Sequence, residues 1–243
     1  MQWLRDMWTK EGPGISKNAP KKTGLALFAD IFGREWWEMV KLNILFILTA
    51  LFVVTIPAAI VATARVSVTL VEDRNSYLLR DYVEAFIQYF WRATAWGVAF
   101  TFAIGIGVYS VATYAATARD NLVLALPLTI ALVVTVFIAV VACHLVVLMV
   151  MRDLPAPTLL RLSAIASVVR PLPALAALAF VAALWLAHIV FYPVSVFMPA
   201  TLNFSLGMFA VAFGVHRAAV MVLALPMAIQ AHREPNAGDA THI

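Results

Sequence analysis

Six polar side chains stand inside or beside apolar runs: Asn43, His144, His188, Asn203, His216 and Arg217. Such groups are costly in hydrocarbon and mark ion paths, ligand sites or interhelical bonds, so they are the residues to weigh first. Imidazoles ligate metals and carry protons, but a shared metal site needs them at one depth. With both chain ends cytoplasmic, His144 and His216 fall toward the cytoplasmic half and His188 toward the outer side, so each is expected to bond a backbone carbonyl or to reach an interface. Arg217 is expected to mark the membrane–water interface, with pairing inside a helical bundle as the other reading. Asn43 and Asn203 can bond across helices for stability alone. Asn43, His144, His216 and Arg217 are the candidates for a functional role.

Catalysis finds little support. None of the 13 Asp and Glu residues lies inside an apolar run, which removes the intramembrane acids expected of many ion-coupled transporters. His-Glu-x-x-His, Gly-x-Ser-x-Gly and phosphate-cradling loops are missing from the sequence. No catalytic residue, cofactor site or metal site is expected. The single cysteine, Cys143, excludes an internal disulfide and a Cys-based zinc site.

The elements that must hold these residues are apolar. The chain is 63% hydrophobic and 12% charged, with a mean hydropathy of +0.91, and a hydrocarbon core takes roughly 20 helical residues to cross. An all-α, polytopic integral membrane helical bundle follows, with hydrophobic segments near 42–64, 94–117, 122–151, 172–191 and 199–226. A polar arm is expected over 1–22, a single membrane domain over 23–230 and a mobile tail over 231–243. Amphipathic spacing predicts interfacial helices over 23–40, where Leu25, Phe28, Phe32 and Trp36 oppose Asp30, Arg34 and Glu38, and over 75–92. Residues 152–171 read as a loop with a short surface helix. Ala93, Gly97, Thr101 and Gly105 recur every four residues, a stripe that lets another helix approach closely; Gly97, Thr101 and Gly105 are its expected packing residues.

Charge arithmetic bears on topology. If all five segments cross once, the basic residues divide almost evenly between the two sides. If the first segment enters and returns, with Pro57 breaking the run into two short arms, all but Arg119 of the 17 Lys and Arg lie on one side. Positive-inside bias favours this re-entrant hairpin, with both ends cytoplasmic; a single kinked crossing is the alternative. The same flanking distribution explains the net charge of +4 without nucleic acid.

Gly12-Pro13-Gly14-Ile15-x-Lys17-x-x-Pro20-Lys21-Lys22, then Phe28 with Arg34-Glu35-Trp36-Trp37, Lys41-Leu42-Asn43 and Val53-Val54-Thr55-Ile56-Pro57-Ala58 resemble the opening of the YesL family, also called domain of unknown function 624 (DUF624). Arg80-Asp81-Tyr82-Val83-Glu84-Ala85-Phe86 continues the resemblance, which covers residues 12–92. Phe52 stands where the family often has a proline, and Ile56-Pro57 lacks the frequent intervening glycine, so Pro57 alone is left to break the run. The resemblance implies a multi-pass bacterial cell-membrane protein associated with carbohydrate uptake of the ATP-binding-cassette type. It implies no catalytic or ligand residues. Two functions are therefore expected in turn: an accessory or regulatory subunit that packs against a sugar permease or membrane sensor, or a small transporter or channel, acting as a homo-oligomer, with Asn43, His144 and Arg217 lining its path. A structural or envelope role is a third. Beyond the lipid bilayer, the sequence identifies no partner.

Overall fold

The computed structural model describes residues 23–74, 77–118 and 121–224, with helical backbone continuing to Arg233. The expected arm over 1–22 lies outside the described residues. So does the expected tail, except that its first three residues continue the last helix.

Seven α-helices follow one another: α1 Leu25–Thr49, α2 Ile56–Val71, α3 Leu78–Thr117, α4 Ala125–Met151, α5 Ala156–Val169, α6 Pro171–Val190 and α7 Phe204–Arg233. Among the described residues there is no strand. Five segments are long and apolar enough to cross a membrane: Val53–Val71, Leu78–Thr117, Leu122–Met151, Pro171–Val190 and Val194–Ala224. The protein is an all-α helical bundle of membrane-spanning dimensions.

The first expected segment is divided differently from its sequence reading. Nothing between Leu25 and Thr49 stops a helix, so the amphipathic stretch over 23–40 runs straight into the apolar one as α1. The break falls over 50–55, in a turn and the 3-10 helix Val53–Thr55. Pro57 does not make it: it sits in the first turn of α2, where its missing N–H has no bond to lose and its fixed φ suits the start of a helix. The chain nonetheless folds back. Arg34 donates to Asp73 at 2.5 Å, and about 22 Å of α1 and about 25 Å of chain beyond the turn separate them from the bend. Two arms of nearly equal length whose far ends touch form a hairpin.

Its second arm becomes the centre of the molecule. From Ala58 to Leu70, α2 is buried on all sides except at Ile60 and Arg65, which are half-buried. Ala58, Ala59, Ala62, Ala64 and Ser67 keep its surface shallow, so α1, α3, α4 and α7 all approach it closely. The half-buried Arg65 sends its guanidinium to the Val150 carbonyl at the end of α4, 2.8 Å away, which satisfies both the charge and a terminal carbonyl.

Two further antiparallel pairs flank this centre. The expected separate helix over 75–92 is instead the first part of α3, a continuous helix of 40 residues because no proline interrupts it. Gly107 of α3 lies against Thr135 of α4, and Arg92 reaches Asp153 beyond the end of α4 at 2.5 Å. In the second pair, a Cβ added at Gly214 of α7 would lie 2.7 Å from the Pro173 carbonyl of α6. The expected surface helix in 152–171 is α5, and it is only half a surface element: Leu159, Leu162, Ser163, Ala166 and Ser167 are buried.

The small-residue stripe divides in the same way. Ala93 is buried, and a Cβ at Gly97 would meet the Pro57 ring at 2.6 Å, so this half packs inside the chain. Thr101 and Gly105 face outward, and nothing lies within 4 Å of a Cβ at Gly105. Gly97→Leu should therefore lower the stability of the isolated chain by about 1–3 kcal/mol through overpacking, while Gly105→Leu should leave it unchanged. Thermal unfolding in detergent checks the contrast.

Candidate functional site

Asn43 is fully buried. Its Nδ2 donates to the Pro199 and Ala200 carbonyls, both at 2.9 Å, and its Oδ1 accepts from the amides of Phe204 at 3.0 Å and Ser205 at 3.1 Å. A carboxamide has two donors and two lone pairs, so every one is used. The partners frame the π turn Pro199–Asn203 that opens α7, a wide turn whose carbonyls and amides have room for a side chain. Phe46, nearly one turn on in α1, stacks on Phe204 with centroids 4.7 Å apart. Asn43 is thus a bolt between α1 and α7, with no hydrogen-bonding capacity left for a ligand.

The histidines do not converge. His144 is fully buried and its Nδ1 lies 2.9 Å from the Val140 carbonyl; a carbonyl only accepts, so Nδ1 carries the hydrogen. Ser167 Oγ lies 3.2 Å from the same nitrogen and itself donates to the Ser163 carbonyl. His144 Nε2 has no hydrogen-bond partner among the described residues. His188 Nδ1 meets the Ser195 carbonyl at 3.1 Å, which ties the end of α6 to the turn that follows. His216 Nε2 lies 3.1 Å from Glu72 Oε1 and clamps α7 to the end of α2. Arg217 is exposed and has no ion pair among the described residues, as an interfacial arginine would be. Among the described residues no group of three or more His, Cys, Asp or Glu is placed to hold a metal ion.

Charge gathers at the open end of the hairpin instead. Arg34, Glu35 and Glu38 of α1 face Asp73, Arg74 and Tyr77 across a pocket of about 440 Å³. Arg34 bonds Glu35 at 2.9 Å as well as Asp73, and the hydrogen bond to Glu35, then that to Asp73, holds the guanidinium pKa above its ordinary value. Glu72 pairs with Arg74 at 2.5 Å and with His216, so α7 joins the same layer. Magnitude decides what these pairs do. The Arg34 and Asp73 side chains are 49% and 74% exposed, and pairs so exposed contribute about 0–1 kcal/mol each. The hairpin is held by Ile31, Met39 and Leu70 packed on Phe209, and the charged layer is free to meet a charged group from outside. It offers both signs within one pocket and contains no nucleophile with an adjacent base.

Sequence spacing marked Arg34 and Glu38 as one polar side of a helix. It gave no signal that Glu72, Asp73 and Arg74 would face them, because only the turn at 50–55 brings position 73 back to position 34.

Residues 39–111 match the family model described as "Protein of unknown function, DUF624". The match covers less than a third of the chain, and what it shows is that this stretch is similar to that family. It runs from the last turns of α1 through the hairpin and α2 into the outer part of α3. The DUF624 segment therefore contains Asn43, Pro57 with its neighbour Gly97, and the Glu72–Arg74 side of the pocket, while Arg34, Glu35 and the 12–22 motif lie before it. No curated protein and no solved structure matches the chain.

The bonding of Asn43 contrasts with that of Asn203, which is 2% exposed and has neither amide atom bonded. Interhelical bonds in membranes average about 0.6 kcal/mol and reach about 1.7, so Asn43→Ala should cost roughly 2–4 kcal/mol. Asn203→Leu, similar in volume and relieving two orphaned atoms, should be neutral or stabilising. Melting temperatures of the two variants in one detergent test the pair.

Proposed function

We propose that this chain is a non-enzymatic accessory or regulatory subunit of the bacterial plasma membrane, working beside a carbohydrate uptake system of the ATP-binding-cassette type. The resemblance to the YesL family supplies the carbohydrate context. The single observation that carries the docking role is the outward face of α3: Val98, Phe102, Ile106 and Tyr109 are 63%, 73%, 58% and 74% exposed, and they border the open notch at Thr101 and Gly105. Lipid covers an apolar face of any kind, but a notch of small residues between aromatic shoulders fits a helix backbone best. A permease helix seated there brings its cytoplasmic loops toward the charged pocket.

The channel reading has less support. Asn43 has spent its hydrogen-bonding capacity on α7, His144 is enclosed against α5, and Arg217 is exposed. No shared path joins the three.

A photoreactive residue at Phe102 or Tyr109, irradiated in native membranes, should give a covalent adduct with a permease subunit, and Gly105→Leu should abolish it. Adducts with lipid alone, joined by solute flux through the purified chain in liposomes, would establish the transporter instead.

The proposed topology keeps α1 and all basic residues except Arg119 on the cytoplasmic side. In a Cys143→Ala background, a cysteine at Asn121 should react with a membrane-impermeant maleimide in intact cells, and one at Thr23 should not. Labelling at Thr23 would place the hairpin mouth outside.

A further inference from the structure

The second apolar feature lies on another face of α3. Arg92, Trp96, Ala99 and Ala103 recur at three- and four-residue spacing, so they form one stripe. Trp96 and Ala103 wall a groove of about 330 Å³ whose other sides are Phe137 and Val141 of α4 and Leu160 and Ala164 of α5, with no charged side chain in its lining. The α3 wall is two turns long, roughly 10 Å, which leaves a cross-section of roughly 30 Å². A helix is 10–12 Å across with its side chains, about three times that section. One extended hydrocarbon chain fills such a groove more closely than a helix does.

Its rim is basic. Arg161 stands between the two groove residues of α5, one position after Leu160 and three before Ala164. It is exposed and has no ion pair among the described residues. Arg152, also exposed, lies at the end of α4 on the approach to α5. The nearby carboxylate, Asp153, is already neutralised by Arg92, whose second nitrogen is bonded to the Leu154 carbonyl. Trp91, 81% exposed, marks a headgroup layer beside them. An exposed guanidinium beside a membrane groove attracts anions, and the anions concentrated at that surface are lipid phosphates.

We propose that the groove between α3, α4 and α5 is a binding site for an anionic phospholipid, with one acyl chain against Trp96, Phe137 and Val141 and the headgroup phosphate on Arg161. An acyl chain gains little on leaving one apolar medium for another, so selectivity comes from the rim. Basic residues at a membrane surface attract anionic lipid on the order of fivefold each, and Arg152 adds to Arg161. The site is distinct from the partner face, because the groove and the Phe102–Tyr109 face lie about 100° apart around α3.

The test uses the full chain purified in mild detergent and equilibrated with equal amounts of phosphatidylglycerol and phosphatidylcholine, with bound lipid counted by native mass spectrometry. One phosphatidylglycerol should be retained with at least tenfold preference. Arg161→Gln should reduce that preference about fivefold, and Ala164→Trp should remove the bound lipid of either kind with the melting temperature preserved. Arg161→Lys should keep most of the preference, and Phe102→Ala, outside the groove lining, should change nothing. Unchanged retention in Arg161→Gln overturns the proposal even if Ala164→Trp fails to fold. Equal retention of glycerol phosphate overturns it as a site for free phosphate, and a dimer abolished by Ala164→Trp overturns it in favour of a second copy.

Discussion

The carboxamide of Asn43 joins the first helix to the last, and the arrangement of the hairpin rests on that junction. Its four bonds engage the backbone of the π turn before α7, at a fully buried position. Sequence-distant helices in a membrane gain no hydrophobic energy by leaving lipid for one another, so a saturated polar contact between two of them fixes relative position in a way that apolar contact alone does not. With α1 held against α7, Phe28 packs among Phe180, Phe209 and Phe213, and the chain leaving α1 at Thr49 returns as α2 through the centre.

The centre works because its helix is narrow. Alanines and Ser67 let four helices crowd around α2, and its hydroxyl groups bond its own carbonyls one turn back, Thr63 to Ala59 and Ser67 to Thr63. Those bonds hide the polar atoms without needing partners from other helices. Close approach has a cost at specific points: Gly97 is needed beside the Pro57 ring, Gly107 beside Thr135 and Gly214 beside the Pro173 carbonyl. The buried helix and the glycines on its neighbours are two sides of one constraint, that dispersion and small-residue packing must supply what hydrophobic burial supplies in water.

The surfaces divide by chemistry. Charges of both signs collect at the hairpin mouth, where exposure makes them weak contributors to stability and accessible to a partner. The α3–α4 pair turns two apolar faces outward: a notched face suited to a helix, and a groove with a basic rim suited to a lipid. A protein built this way performs no chemistry on a substrate in the proposed reading. In that reading it holds a position in the membrane and presents surfaces to partners.

Much of this was legible in residue order. Apolar runs longer than a bilayer is thick required membrane-spanning helices, the end of the third span at Met151 and the start of the fourth near Pro171 fell close to where they were expected, and the resemblance over 12–92 anticipated the DUF624 match over 39–111. These follow from local free energies: the cost of exposing backbone to lipid and of charge in hydrocarbon are properties of each segment alone. The turn at 50–55, the change of Pro57 from breaker to helix start, the fusion of 78–92 into α3, and the splitting of the small-residue stripe were decided only in the fold. So were the bonding of Asn43 and the meeting of Arg34 with Asp73. Each depends on which surfaces of distant helices come together, and a one-dimensional pattern records that a side chain is small, polar or charged but not what stands opposite it.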